Sequence, residues 1–322
     1  MSIREQGEKI ERLINNIKKV IVGKDEVICL ALIPLCCKGH LLIEDVPGVG
    51  KTMLARSIAK SINGKFRRIQ FTPDLLPSDV TGVSIYNQKN GEFEFKPGPV
   101  FANILLADEI NRTTPRTQSA LLECMEETQV TESGRTYLLE QPFNVIATQN
   151  PIELQGTYPL PEAQLDRFFM KLKIGYPDSN SEVTMMEEQV KEHPIFSLIP
   201  VLETKEIVEI QETIKEVYID HSVKEYIVRL INKTREHKGL LLGASPRGSL
   251  ALMRASQAWA FFKKRDFVDP TDVKNVALPT LSHRIILKPQ TRLEGVNPEE
   301  LITEILNSVP VPVLPLRSVI KS

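Results

Sequence analysis

The strongest chemical signal in the sequence is the run of residues 45–52, which reads Asp-Val-Pro-Gly-Val-Gly-Lys-Thr. It follows an apolar stretch typical of a buried strand and precedes a helical pattern, so a strand, a tight loop and a helix are predicted. Gly48 and Gly50 permit backbone angles that let successive N–H groups point at one anion. The helix start adds its own unpaired N–H groups and its positive dipole end. This order of elements predicts a cradle for phosphate.

Two side chains give the loop the chemistry of a nucleotide site. Lys51 can reach β- and γ-phosphates, and the Thr52 hydroxyl can ligate Mg²⁺. The consensus for such loops begins with glycine, where this chain has Asp45, so the backbone role of that glycine stays open. The alternative is an ordinary strand–turn–helix with a chance Gly-Lys-Thr. The residues predicted to hold the nucleotide are Asp45, Val46, Pro47, Gly48, Val49, Gly50, Lys51, Thr52 and Met53.

Two carboxylates follow a second apolar run, at residues 104–109. This pattern predicts a parallel strand buried on both faces, with acids at the end where open α/β sheets bind ligands. Asp108 is placed to hold Mg²⁺, directly or through water, and Glu109 to orient and polarise an attacking water. The alternative is a strand that ends in a solvated acidic turn.

A polar amide, Asn150, follows a third predicted strand at residues 143–148. Near a phosphate loop it can sense the γ-phosphate or position water. In isolation the same residue would be a turn former before Pro151. The sequence therefore offers it as a candidate catalytic residue and leaves the turn interpretation open.

Two arginines are further candidates. Arg167 is a charge among core residues, so it is either paired with Asp166 or Glu162 or offered outward to a partner. Arg247 falls in the first turn of a predicted helix, where a cation opposes the helix dipole and suggests an anion to meet. A surface salt bridge is the alternative for Arg247.

The elements that must position these residues form two groups. Up to residue 195, predicted strands alternate with helices, which indicates an α/β domain with a parallel sheet. Two β-hairpins are inserted into it, at residues 84–95, turning at Asn90, and at residues 128–139. The remaining sequence shows helical patterns without strands. We therefore predict an α/β core at 1–195 and a smaller all-α domain at 196–322.

The composition of the 322-residue chain excludes several classes of protein. Its formal net charge of −1 provides no global basic field for nucleic acid or anionic lipid. The first residues do not form a signal peptide, and no apolar run approaches the roughly 20 residues that span a bilayer. The four cysteines lack zinc spacing, and the adjacent Cys36 and Cys37 lie in an apolar helix-like run that indicates small core residues. We expect a reduced, cytoplasmic, soluble protein without stable membrane insertion.

Together these motifs resemble the ATPase core of the AAA+ superfamily, and most closely the MoxR family. The likeness is carried by residues 44–52, by 108–112 (Asp-Glu-Ile-Asn-Arg), by 147–151 (Ala-Thr-Gln-Asn-Pro) and by 160–168 (Leu-Pro-Glu-Ala-Gln-Leu-Asp-Arg-Phe). It extends over nearly the whole chain. The resemblance implies a P-loop AAA+ parallel sheet flanked by helices, with two inserted hairpins, followed by a helical lid domain.

The resemblance also implies a role for each matching residue. Lys51 and Thr52 match the Walker A lysine and its Mg²⁺ ligand, while Asp108 and Glu109 match the Walker B pair. Asn150 matches sensor 1. ATP and Mg²⁺ are the implied cofactors, and ATP hydrolysis is the implied reaction.

The two arginines match residues that respond to nucleotide in this family. Arg247 corresponds to sensor 2, so ATP is expected between the α/β domain and the lid. Arg167 corresponds to the arginine finger, which acts on ATP bound by the neighbouring subunit of a homo-oligomeric ring, expected to be a hexamer. The hairpins look like inserts that face the ring centre and engage a substrate.

Proteins of this family resemble chaperones that remodel or mature protein complexes and insert metal cofactors. They often work with partners that carry a von Willebrand factor A domain, so a protein client is implied and no nucleic acid is expected. Two alternatives stay open. The chain could be a DNA-acting AAA+ motor, although its balanced hairpin tips argue against a strand-tracking pore. It could also be an ATP-gated scaffold with little turnover, which would not need the water-orienting acid Glu109.

Overall fold

The structure is a computed structural model that describes residues 3–89, 91–151, 156–188, 190 and 192–312. Its strands are β1 (Leu41–Glu44), β2 (Phe66–Gln70), β3 (Gly82–Asn87), β4 (Glu92–Pro97), β5 (Ile104–Asp108), β6 (Gln129–Glu132), β7 (Arg135–Leu138), β8 (Asn144–Gln149), β9 (Met170–Leu172), β10 (Leu240–Leu242) and β11 (Ile286–Leu287).

The helices connect and cover these strands. They are α1 (Ile3–Lys18), α2 (Asp25–Cys36), α3 (Lys51–Ser61), α4 (Pro77–Thr81), α5 (Pro115–Glu127), α6 (Glu162–Leu165), α7 (Ser179–Glu188), α8 (Pro194–Ser197), α9 (Thr204–Lys215), α10 (His221–Glu236), α11 (Pro246–Phe262), α12 (Pro270–Leu281), α13 (Pro289–Leu293) and α14 (Pro298–Ser308). Short 3₁₀ turns lie at Ile110–Arg112 and Ser282–Arg284.

A parallel sheet in the order β2-β5-β8-β1-β9 forms the centre of the α/β part. Its central strands are buried along nearly their whole length, because helices cover both faces and the strand residues are almost all apolar. All five strands end at the same edge, which we call the carboxyl edge, and begin at the opposite amino edge. The predicted parallel sheet flanked by helices is confirmed.

Two antiparallel hairpins leave this sheet, β3–β4 and β6–β7, as the sequence predicted. The predicted turn residue Asn90 lies outside the described residues. The hairpins contact each other through Phe95 and Tyr137, whose rings stack with centroids 4.1 Å apart. They therefore present one joint surface and not two separate ones.

The helical unit, residues 204–308, packs onto the N-terminal helices. Helix α11 lies against both α1 and α2, and α12 contacts β9. One continuous hydrophobic core joins these elements to one face of the sheet. The unit also contains a short antiparallel pair, β10–β11, which the sequence did not predict because these strands are only three and two residues long. The boundary between residues 195 and 196 stays a prediction.

Cys36 and Cys37 are small core residues, as expected. Cys36, Cys37 and Cys124 are buried and Cys29 is half-buried, and each is a thiol not joined in a disulfide. Of the helices that the structure describes, none combines the length and apolar character that crossing a membrane requires.

His40 ties three elements together at the amino edge. Its Nε2 lies 2.9 Å from the carbonyl oxygen of Met125 at the end of α5. Its Nδ1 accepts the N–H of Val145 in β8 at 3.0 Å, so the ring is neutral and Nε2 donates. Burial lowers the pKa of His40 from 6.5 to about 4.

The free energy of unfolding should therefore decrease as the pH falls from 6.5 towards 4. In that range the unfolded chain binds a proton at His40 that the folded protein excludes, so stability present above pH 6.5 is lost. The loss between pH 7 and pH 5 should be about 2 kcal/mol from this residue. Urea unfolding at both pH values would measure it. The variant His40→Asn should show a weaker dependence on pH, and an equal dependence in both proteins would exclude His40 as its source.

Candidate functional site

The loop that follows β1 has the backbone that an anion cradle needs. Gly48 and Gly50 have φ angles of 87° and 92°, in the left-handed region that favours glycine. A Cβ added at either position would meet no heavy atom of the described chain within 4 Å, so the backbone angle is what requires glycine there. Lys51 opens α3, and its Nζ donates to the carbonyl of Asp45 at 2.6 Å.

Asp45 anchors the start of this loop. One carboxylate oxygen accepts the N–H of Val46 at 2.8 Å. The other accepts the N–H groups of Ile174 and Gly175, both at 2.7 Å. Asp45 lacks a positive φ, so its position does not need glycine. Its side chain instead joins the loop to the segment after β9, which the sequence analysis missed because these residues are far apart in the chain.

The two acids after β5 share one threonine. The Thr148 hydroxyl donates to the Asp108 carboxylate at 2.5 Å and accepts the N–H of Glu109 at 2.9 Å. The other Asp108 oxygen accepts from Arg68 Nε and Nη2 at 3.1 and 2.7 Å. Glu109 has φ 57°, an uncommon angle for a side chain of this size, as is typical of active sites. Thr148 fixes both acids at the carboxyl edge.

The Glu109 carboxylate is held by two further residues that the sequence analysis missed. Its Oε2 accepts Gln70 Nε2 at 2.7 Å and Arg112 Nη1 at 2.9 Å. Gln70 is the last residue of β2, beside β5 in the sheet. A polar residue at the end of a predicted strand is the sequence pattern that could have identified it. These contacts give Glu109 a defined direction.

The oxygen donors at this edge fit Mg²⁺. Thr52 supplies a hydroxyl in the first turn of α3, and Asp108 supplies a carboxylate. Within the described residues no group of three or more histidine, cysteine, aspartate or glutamate side chains could hold a metal. The hydroxyl of Thr52 and the carboxylate of Asp108 suit Mg²⁺, which nucleotide sites hold largely through phosphates and water.

Asn150 is buried after β8, between the strands that carry the loop and the acids.

A small apolar cluster adjoins the loop. Val20, Ile195 and Leu198 form its buried part, and Ile21 and Met53 pack against it. Met53 belongs to the first turn of α3, so this surface continues the phosphate loop and could accommodate a planar base. The sequence analysis named Met53 as a nucleotide contact but did not identify Ile195 or Leu198, which reach the loop only through tertiary packing.

The two predicted arginines meet each other at the amino edge. Arg247 Nη2 lies 2.6 Å from one carboxylate oxygen of Glu126, and Arg167 Nη1 lies 3.2 Å from the other. A cavity of about 350 Å³ beside them is also lined by Gly39 and His40, which precede β1. The arginines therefore lie at the opposite end of β1 from the phosphate loop.

This placement differs from two expectations. The sequence predicted Arg247 over the nucleotide of its own chain, but the helical unit packs so that Arg247 reaches the end of α5 instead. Of the two alternatives for Arg167, pairing with Asp166 or Glu162 is not what the structure shows, because the described ion-pair partner of Arg167 is Glu126. The other alternative, an arginine offered outward to a partner, stays a prediction. Asp166 pairs instead with Arg284 of the helical unit.

Comparisons with known proteins identify the family of this chain. The ATPase family associated with various cellular activities matches residues 40–170, and the AAA lid domain family matches residues 232–305. The uncharacterized protein YeaC of Bacillus subtilis is 55% identical over 94% of each chain. Chaperone MoxR1 of Mycobacterium tuberculosis is 42% identical over 94% of this chain and 82% of its own. Protein MoxR of Paracoccus denitrificans is 30% identical over 91% and 93%.

Solved structures match as well. A crystal structure of a candidate ATPase from Cytophaga hutchinsonii aligns with a TM-score of 0.90 and 44% identity, covering 96% of each chain. An MCM homolog from Methanopyrus kandleri aligns with a TM-score of 0.58 over 88% of this chain and 61% of its own. At 17% identity the second match shows a shared fold alone.

Asp45→Ala should destabilise the protein and weaken nucleotide binding. It leaves three backbone N–H groups without their carboxylate acceptor, which costs about 1–3 kcal/mol. Urea unfolding and titration with a fluorescent ATP analogue would measure both effects. Asp45→Asn is the matched control, because it keeps an acceptor oxygen and should lose less of each. Unchanged stability and affinity in Asp45→Ala would show that the anchor is dispensable.

Proposed function

Since this chain belongs to the MoxR family of AAA+ ATPases, we propose that it hydrolyses ATP at sites completed by a neighbouring subunit and thereby remodels a protein client. The observation that supports a shared site is the position of Arg167 and Arg247. Both lie on Glu126 at the amino edge, whereas Lys51 and Glu109 lie at the carboxyl edge. Two arginines placed there suit the phosphates of a second subunit.

Residues at the carboxyl edge would perform the hydrolytic step. Lys51 would leave the Asp45 carbonyl and contact the β- and γ-phosphates. Thr52 and Asp108 would hold Mg²⁺, which when bound neutralises charge on the phosphate oxygens. Glu109 would orient and polarise the attacking water, and Asn150 would position that water or the γ-phosphate.

The arginines would act across the interface. Arg167 would exchange the Glu126 carboxylate for the γ-phosphate of the next subunit and stabilise the charge that develops on the transferring group. Arg247 would bind the same nucleotide from the helical unit. Arg167 would leave Glu126 only when the phosphate of a neighbouring subunit is there to replace it. Hydrolysis would therefore depend on assembly of the subunits.

The proposed assembly is a homo-oligomeric ring, for which six members is the number we propose. The client is a protein, and a partner with a von Willebrand factor A domain is one candidate. Maturation of a client by insertion of a metal cofactor belongs to the same proposal. The relative named Chaperone MoxR1 supports a chaperone-like role.

The hairpin surface supports a protein client over a nucleic acid. Large apolar side chains are exposed on it, namely Ile85, Tyr86, Phe93 and Leu138. Its charged residues balance, three acidic against three basic: Glu92, Glu94, Glu132, Lys89, Lys96 and Arg135. Nucleic-acid affinity depends on an excess of Lys and Arg that neutralises phosphates, and these hairpins have none. A surface with exposed apolar side chains and balanced charges suits apolar segments of a polypeptide.

Arg167→Ala should abolish turnover and leave nucleotide binding intact. An arginine finger contributes roughly 10³- to 10⁵-fold to kcat, and the variant keeps every residue of its own phosphate loop. ATPase assays and ATP-analogue titration, with light scattering to monitor assembly, would measure the two effects. Equal turnover in the variant would remove Arg167 from the site.

Two further variants serve as controls in the same assays. Glu109→Gln should bind ATP and retain it without turnover. If the protein were a scaffold with little turnover, this variant and the wild type would hydrolyse ATP at the same low rate. Arg247→Ala should also lower kcat without weakening nucleotide binding by the isolated subunit. Weaker binding by that subunit would place Arg247 on its own nucleotide.

The protein should not bind DNA at physiological salt. In fluorescence anisotropy with single- and double-stranded DNA, no saturation is expected up to about 10 μM protein, because the hairpins carry no net positive charge. Glu132→Lys adds a basic residue at a hairpin tip and serves as the control that should bind more tightly. Tight binding by the unmodified protein, together with ATPase stimulation by DNA, would favour a DNA-acting motor.

A further inference from the structure

The segment that contains Arg167, residues 166–169, is hydrogen-bonded to Arg284, a buried arginine of the helical unit. Only 3% of the Arg284 side chain is exposed. Its Nη1 donates to the carbonyl of Asp166 at 2.8 Å, and its Nη2 donates to the carbonyl of Phe168 at 2.7 Å. The same guanidinium forms an ion pair with the Asp166 carboxylate. Arg284 thus binds the backbone on both sides of Arg167.

Two neighbours of Arg284 in the helical unit make further hydrogen bonds to this segment. His283 Nε2 lies 3.0 Å from the carbonyl oxygen of Phe168. Burial lowers the pKa of His283 well below its ordinary range, so the ring is neutral and Nε2 donates. The Ser245 hydroxyl donates to the second Asp166 oxygen at 3.1 Å. Each of these bonds joins the helical unit to the residues beside Arg167.

The base of Arg167 and its head group are held differently. Arg284 Nε donates to the Thr280 carbonyl at 2.8 Å, so the Arg284 guanidinium is fixed to helix α12 of the helical unit. The Arg167 side chain is one-third exposed, and its guanidinium has the Glu126 carboxylate as a partner. The segment is therefore tied to the helical unit, while the guanidinium can change partner.

We propose that Arg284 is a positioning residue that couples the helical unit of each subunit to its own Arg167. A movement of the helical unit would then relocate the arginine that serves the nucleotide of the neighbouring subunit. This role rests on the proposed shared site. A buried guanidinium needs full pairing wherever it lies, but stability alone would not require its partners to be the carbonyls that flank Arg167.

Arg284→Lys tests this role, because lysine keeps the charge but cannot make the forked contacts of arginine. We expect kcat to fall roughly 10- to 100-fold, the loss typical of a misplaced catalytic group, with the KM for ATP unchanged. Arg265→Lys is the matched control. Arg265 also pairs with an aspartate in the helical unit, Asp272, at 2.5 Å, and its described contacts do not include residues 166–169. Its kcat should stay at the wild-type level.

A subunit-mixing experiment separates positioning from stability. Arg284→Lys subunits retain an intact phosphate loop, and Glu109→Gln subunits retain an intact Arg167. In a 1:1 mixture about one site in four combines an intact Glu109 with a correctly placed Arg167, because neighbouring subunits supply these two residues to each interface. Activity should therefore rise well above that of either variant alone. A defect confined to the variant's own nucleotide site would show no such recovery.

A parallel mixture of Arg167→Ala with Glu109→Gln tests the shared site itself. Recovery in both mixtures supports the role of Arg284. Recovery only in the Arg167→Ala mixture overturns that role and leaves the shared site standing. No recovery in either mixture overturns the shared site and the role together. Where Arg284→Lys fails to fold, as urea unfolding would reveal, Ser245→Ala takes its place, with the same pattern of recovery expected from a smaller initial loss.

Discussion

Parallel pairing of the strands determines where the candidate site residues of the sheet domain lie. Because β1, β5 and β8 run in the same direction, Lys51, Asp108 and Asn150 lie at or after the carboxyl ends of these strands, at one common edge. The turns that precede the strands gather at the other edge, where Arg167 comes just before β9. The buried ladder fixes these two edges one strand length apart.

Three carboxylates then set the positions that the strands leave undefined. Asp45 binds three backbone N–H groups and fixes the loop, while Asp166 binds Arg284 and joins the sheet domain to the helical unit. Glu126 binds two arginines from different parts of the chain. In each case the negative charge is satisfied by several donors, which makes the contact specific as well as favourable.

The sequence predicted what local pattern determines. Apolar runs followed by glycine or acids identified the strands, the loop at residues 45–52 and the two hairpins, because strand ends and turns carry distinct residue types. It could not predict the positions of Arg247 and Arg284, since these depend on how helices more than 100 residues away pack against the sheet. Thr148 and Gln70 were missed for a related reason. Each is an ordinary strand residue until its neighbouring strand is known.

The arginines and the phosphate loop lie at opposite ends of the same strands, which gives each subunit a direction. Contacts between identical subunits would then join unlike surfaces, head to tail, and not the same surface to itself. A two-fold symmetric dimer would bring loop to loop or arginine to arginine and complete neither. An open row of subunits would always have one unserved loop at its end. If the proposed shared site is correct, only closure of the row would give every bound nucleotide its arginines.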